Sequence, residues 1–387
     1  MLEITLPEKK RRKTEQVGPV DAPFLVLTLL LLAIGLICLY SASYPLAYSK
    51  YGNSLYFVLR QGIFAVAGVV VMLFIAYQIN YHHLHYLALP ALLMALGLMA
   101  TIKIPGLSSM WKTINNATRW VQIGPIGFQP SEVCKAAVIL SFSSFAAIFG
   151  KKKMHTLRWG IIPFVGILGV IALLLYFERH LSGTLIIFAI GMVIIYLAGV
   201  NIWWFIPPVV LGGAGAVWYI FSNDYAMTRI KVWLDPFIDP MNKGFQGSQS
   251  QITIGSGGLW GVGLGQGVQK HLFLPEPTND FIFPTICEEL GLVGASLILL
   301  LFAALVLRGY YIALRCENRF GTLLAAGVTT HLGIQVIMNL FVVTGIMPIT
   351  GASLPFFSYG GTSLLMLLAE VGVLLAVSRR LPAPKAD

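Results

Sequence analysis

The sequence predicts an all-α, polytopic integral membrane protein with about ten transmembrane helices. Three observations carry this reading. Of 387 residues, 57% are hydrophobic and only 11% charged, whereas a soluble domain carries about a quarter charged residues. Mean hydropathy is +0.79. Apolar runs of roughly 17–25 residues, long enough to cross a bilayer, recur along the whole chain. A membrane β-barrel would show short alternating segments instead, and nothing in the composition marks a separate soluble domain.

Spans are expected near 22–43, 57–78, 84–102, 130–149, 159–177, 182–199, 202–221, 283–307, 321–343 and 359–378. They form one membrane domain, 22–378, between a basic tail at 1–21 and a short tail at 379–387. The first tail lacks the short apolar core and small-residue cleavage site of a signal peptide, so it is expected to be retained. The net charge of +10 resides largely in four clusters: Lys9 to Lys13; Lys151, Lys152, Lys153 and Arg158; Arg308, Arg315 and Arg319; and Arg379, Arg380 and Lys385. All four abut apolar spans. They read as topology signals and anionic-lipid contacts, not as a nucleic-acid surface.

Numbering the spans alternately, with the basic tail inside, puts all four clusters and both termini on the cytoplasmic side. The loop at 103–129, the large loop at 222–282 between helices 7 and 8, the turn at 178–182 and the loop at 344–357 then face outward. These four segments hold nearly all the unusual residues. The four cysteines, Cys38, Cys134, Cys287 and Cys316, form no CxxC pair and read as free apolar thiols. No His/Cys cluster has metal-ligand spacing, and His82, His83 and His85 fall on a cytoplasmic turn.

The first constellation is RWVQIGPIGFQPSEVCK, from Arg119 to Lys135. Pro130 suits the first turn of a helix, with Gln129 or a neighbour as its cap. Glu132 and Lys135 are three apart and share a face, either as a structural ion pair or as a substrate-facing pair. Arg119 can bind a phosphate or anchor at the interface. The second is ERHLSGT, 178–184, either a plain turn capped by Ser182 or the outer end of a cavity.

The third runs from Arg229 to Gly294. Asp235-Pro236 and Asp239-Pro240 form turns. Gly255, Gly257, Gly258, Gly261, Gly263, Gly265 and Gly267 make a close-folding loop. No GK[ST] follows, so this is no nucleotide loop; the glycines serve packing, phosphate contact or a hinge. Asp280 precedes the eighth span. A partly desolvated carboxylate there gains basicity; alternatively it caps the helix. Glu288 lies two turns further, with Glu289 about 100° around the helix. Either glutamate can instead pair with Lys135 or Arg229. The fourth constellation spans Gln335 to Ser363, where Pro348, Gly351 and Pro355 interrupt apolar sequence. Non-helical backbone at membrane depth must be covered by protein or line a cavity.

Together, RWVQIGPIGFQPSE (119–132), ERHLSGT (178–184), the 229–294 block and TGIMPITGASLPFFSYGGTS (344–363) resemble the SEDS family of bacterial cell-wall polymerases, which includes FtsW, RodA and SpoVE. The resemblance covers residues 20–380. It implies a peptidoglycan glycosyltransferase that polymerises lipid II on the outer face of the cytoplasmic membrane and releases undecaprenyl diphosphate. The family's essential acid lies in PExxxDFIF, here Pro275, Glu276 and Asp280 to Phe283, so Asp280 inherits the role of general base. Beside it, the candidates for contact with substrate are Arg119, Glu132, Lys135, Arg229, Lys270, Glu276, Glu288 and Ser358. No nucleotide or organic cofactor is expected, and a divalent cation is compatible with the chemistry.

ERHLSGT and ASLPFFSYGG are closer to FtsW-like than to RodA-like patterns, which implies a division role and a class B penicillin-binding protein transpeptidase as partner, with other division or elongation proteins. RodA-like elongation and SpoVE-like sporulation roles remain alternatives. Arg179 stands where relatives carry proline, and Thr278-Asn279 where many carry His-Thr. A lipid II flippase is the reading from another class; it favours repeats and midplane charges, whereas the charges here cluster near one boundary.

Overall fold

The structure is a computed structural model that describes residues 17–104, 111–114, 117–123, 126–222, 224–242, 244–271 and 273–380. Its helices are α1 (Ala22–Tyr51), α2 (Tyr56–Gln78), α3 (Leu84–Ala100), α4 (Pro130–Met154), α5 (Ile162–Phe177), α6 (Leu181–Leu197), α7 (Ile206–Ser222), α8 (Asp224–Leu234), α9 (Phe245–Ser256), α10 (Ile282–Arg315), α11 (Arg319–Val343) and α12 (Gly361–Ser378). Among the described residues, eight helices are long and apolar enough to cross a membrane: α1 to α5 and α10 to α12, α3 and α5 counted with the short helical turns beside them. The sixth and seventh expected spans correspond to shorter apolar helices, at Leu181–Leu197 and Ile202–Gly215. The chain is therefore a multi-pass membrane protein. The 103–129 loop adds a small antiparallel sheet, β1 (Trp111–Ile114), β2 (Ala117–Ile123) and β3 (Ile126–Phe128), paired in the order β1-β2-β3.

Lipid supplies little hydrophobic drive between helices, so close approach depends on small residues. A methyl group at Gly68 of α2 would meet Leu368 Cδ1 of α12 at 2.5 Å, and one at Gly372 of α12 would meet the Met72 carbonyl of α2 at 2.6 Å. The two helices thus interlock reciprocally. At one end of the bundle the basic clusters also hold backbone. Arg308 forks onto Asp21, the N-cap of α1. Arg379 donates to the Ala76 and Tyr77 carbonyls that end α2, and Arg319 to the Ala198 carbonyl that ends α6. A cation on the last carbonyls of a helix complements its dipole.

Two expectations change. The sequence allows a hinge at the glycines after α9. In the structure Gly257, Gly261 and Gly267 are packed against α10, which kinks at Gly291 (φ 66). Leu292 N–H donates to the Gly258 carbonyl, and Val262 N–H to the Glu288 carbonyl. Any Cβ at Gly257 would run into the Cys287 carbonyl. Gly257→Ala is therefore expected to lower the thermal unfolding temperature, by the mechanism of backbone overpacking. A normal unfolding temperature with slowed turnover would restore the hinge.

The second change concerns the carboxylates after Asp280. Glu289 pairs with Lys270, and Ser41 donates to the same carboxylate. Glu288 accepts the backbone N–H groups of Val268 (2.9 Å) and Gln269. Neither pairs with Lys135, whose partner is Glu132. Both glutamates staple the incoming loop to the kink of α10.

Candidate functional site

Three of the four constellations converge on Gly351. Its φ is unremarkable, but it lies where space is short: a Cβ there would meet Asp280 Oδ2 at 2.9 Å and Arg119 Nη1 at 3.1 Å. The carboxylate and the guanidinium therefore flank one glycine of the 344–358 loop. Arg119 comes from β2 and is further held by Nη2 donating to the Arg179 carbonyl at 2.9 Å. Ser182 Oγ donates to the Gly351 carbonyl at 2.7 Å. Ser182 is thus not the helix cap, and ties the 178–184 turn to the same point.

Asp280 is held through its backbone. Asn339 Nδ2 donates to the Asp280 carbonyl at 2.8 Å and to the Ala352 carbonyl at 2.6 Å. Ser358 Oγ donates to the Asn279 carbonyl at 2.6 Å, and Tyr359 N–H to the Thr278 carbonyl at 2.8 Å. Ser358 therefore positions the Asp280 segment. The N-cap of α10 is Phe281, and no side chain caps it, so Asp280 does not cap that helix. Burial pushes its carboxyl up to about 6; nearby Glu276 adds to the rise and Arg119 opposes it. At neutral pH it is an ionised carboxylate with raised basicity.

Around Arg119 lie two groups whose burial favours their neutral forms. Glu178 is fully buried, and neither carboxylate oxygen has a hydrogen-bond partner among the described residues. Burial raises its carboxyl to about 8, against the pull of Arg119. Burial and then Arg119 lower His180 to about 3, and Gln129 Nε2 lies 3.2 Å from its Nδ1. Gln129 occupies the N-cap position of α4 without capping it. Arg179 adopts φ 54, which a proline, fixed near −65°, could not. Below an ordinary value near 4.5, Glu178's contribution to stability is fully present; it is lost as pH rises through about 8. Glu178→Gln is expected to melt above the wild type at pH 8.5 and with it at pH 4.5. Parallel melting curves at both pH values would contradict this.

A second layer lies beneath. Glu132 and Lys135 pair at 2.8 Å; Ser363 Oγ donates to Glu132 at 3.1 Å, and Lys135 reaches Gln335 Oε1 at 3.5 Å. His331, Gln335 and Asn339, spaced by four on α11, form one buried polar face. His331 Nδ1 lies 2.6 Å from Glu370 Oε2. That pair sits mid-helix in both α11 and α12, so not all ionisable groups cluster near one boundary. The sequence reading missed it, although the i, i+4, i+8 spacing was visible. Lys270 is fully buried, with its charge met by Glu289. Arg229 falls within α8, and its side chain lies outside the described residues.

Comparison with known proteins points one way. A family model described as "Cell cycle protein" (FtsW/RodA/SpoVE) matches residues 22–382. The chain is 40% identical over 366 residues to stage V sporulation protein E of Bacillus subtilis, covering 95% of this chain and 98% of that one. It is 37% identical over 361 residues to "Probable peptidoglycan glycosyltransferase FtsW" of Geobacter metallireducens, covering 93% and 95%. Among solved structures, it matches a chain of a peptidoglycan synthase complex that coordinates polymerization and crosslinking, with TM-score 0.75, 26% identity, and 93% and 98% coverage. It also matches the rod shape determining protein RodA of Thermus thermophilus, with TM-score 0.66, 25% identity, and 93% and 97% coverage.

Proposed function

The chain belongs to the FtsW/RodA/SpoVE family, and from that premise we propose that it is a peptidoglycan glycosyltransferase that polymerises lipid II with Asp280 as general base. The observation that carries this is that the Asp280 carboxylate and the Arg119 guanidinium both approach Gly351. The 4-hydroxyl of one N-acetylglucosamine attacks the anomeric carbon of another sugar as undecaprenyl diphosphate leaves. Asp280 takes the hydroxyl proton, and a carboxyl raised to about 6 suits that task at neutral pH. Arg119 is placed to meet the diphosphate charge as it develops. Burial next to Arg119 keeps Glu178 and His180 neutral, so neither competes for that cation.

The site faces outward under the topology that puts the basic clusters inside, with both termini cytoplasmic. A class B penicillin-binding protein partner would crosslink the strands, in division by the FtsW-like motifs or in sporulation like the Bacillus subtilis relative.

A flippase is the second reading, favoured by the buried His331–Glu370 pair. Purified protein supplied with labelled lipid II and no nucleotide separates the two. Glycan ladders are expected. Lipid translocation without polymer would overturn the polymerase.

A further inference from the structure

The segment just before Asp280, Leu274 to Asn279, lines a cleft of about 370 Å³, within the range of small-molecule sites. Its walls are Lys50 and Tyr51 at the end of α1, Phe57 at the start of α2, Tyr359 before α12, and Glu276 and Asn279. Asn279 and Glu276 belong to the segment that carries Asp280, while neither Asp280 nor Arg119 is among the residues that line the cleft. We propose that this cleft is a saccharide subsite that holds an N-acetylhexosamine of the glycan strand; the proposal rests on the polymerase reading.

The wall chemistry selects a sugar. Tyr51 stacks on Tyr56 with ring centroids 3.9 Å apart and planes 14° apart, so its ring is fixed before any ligand arrives. It is nonetheless 47% exposed. Phe57 meets Tyr51 edge-on at 5.8 Å and Tyr359 edge-on at 5.0 Å. A preset aromatic wall with a polar rim suits the apolar C–H face of a pyranose. In the same lining, Asn279 and Glu276 offer amide and carboxylate groups to hydroxyls, and Asn279 Nδ2 donates to Glu276 Oε2 at 2.7 Å.

An anion is the poorer fit. Lys270, which also lines the cleft, is neutralised by Glu289, and Glu276 contributes a negative charge. Lys50 remains as an exposed cation at the rim.

The floor is rigid. Glu276 adopts φ 50 between Pro275 and Pro277, and such strained positions gather at ligand sites. Its backbone carbonyl accepts the N–H of Asn279 at 3.1 Å and that of Phe281 at 3.3 Å. Glu276 also raises the Asp280 carboxyl, so a sugar bound to Glu276 lies one short segment from the base. A polymerase must hold two sugars at once. The site at Asp280 and Arg119 and the aromatic cleft lined by the preceding residues provide for a diphosphate-bearing partner and a strand.

The test uses the full chain in lipid nanodiscs and the neutral tetrasaccharide of N-acetylglucosamine, with binding followed by saturation-transfer NMR. Wild type and Asp280→Asn are expected to bind equally, since the cleft does not use that carboxylate. Tyr51→Ala, at an exposed helix end, is expected to weaken binding about tenfold with an unchanged melting temperature, and Tyr51→Trp to retain it. With lipid II, Tyr51→Ala is expected to raise the KM for lipid II and to give shorter strands. No binding by the wild type, or full binding by Tyr51→Ala, overturns the subsite. Because tetrasaccharide binding needs no turnover, failure of the polymerase assay alone leaves this result readable.

Discussion

Replacing Asp280 with Asn is expected to slow glycan polymerisation about 100- to 10,000-fold, the usual contribution of a positioned general base. The substitution keeps the shape and removes the basicity. Folding should be spared, because the segment is anchored through the Asp280, Asn279 and Thr278 carbonyls and not through the Asp280 side chain. Arg119 also keeps its bond to the Arg179 carbonyl. Initial rates with labelled lipid II measure the effect, with melting temperature as the control for fold. An Asp280→Asn enzyme within threefold of wild type would remove the base assignment.

Replacing Lys270 with Met is expected to destabilise the protein by about 3–5 kcal/mol, the cost of leaving one member of a buried pair uncompensated. Lys270 is fully buried, and its partner Glu289 is 3% exposed. Ser41 approaches both members, and the ammonium lies 4.7 Å from the Tyr44 ring centroid. These contacts bind the loop before Asp280 to α1 and α10. Removing both charges, in Lys270→Met with Glu289→Gln, is expected to recover most of the loss, since neither charge is then orphaned. Thermal unfolding of the single and double variants checks this. A Lys270→Met protein that melts normally but polymerises slowly would return Lys270 to the role of substrate cation.

The membrane character of the chain was legible because long apolar runs leave few alternatives. The positions of α1 to α5 and α10 to α12 follow the expected spans, although α1 and α10 run on well past the expected ends, to Tyr51 and Arg315. Length decided less well at 181–197 and 202–215, where apolar sequence continues but the helices are short. The four polar segments were correctly singled out as unusual. Their meeting at Gly351 was not legible, because spacing along a chain does not say which loops fold over the same glycine. Partner choice was also hidden. Glu288, Glu289, Lys135 and Lys270 are all charged residues in or beside apolar sequence, yet two of them form one staple, one binds backbone and one pairs three residues back. The glycines of 255–267 could serve a hinge or close packing by composition alone; in the structure Gly257 and Gly261 pack closely on the backbone beside the kink at Gly291. Arg179 takes a left-handed backbone, which the proline expected there from the resemblance could not adopt.

The pH dependence of polymerisation by the purified protein tests the central claim most directly. A base must be deprotonated to act, and the Asp280 carboxyl titrates at about 6. The rate is therefore predicted to rise with pH, to reach half its plateau near pH 6 and to level off above neutrality. A rate that is flat from pH 5 to 8, or that falls as pH rises through 6, would contradict the assignment of Asp280 as the general base.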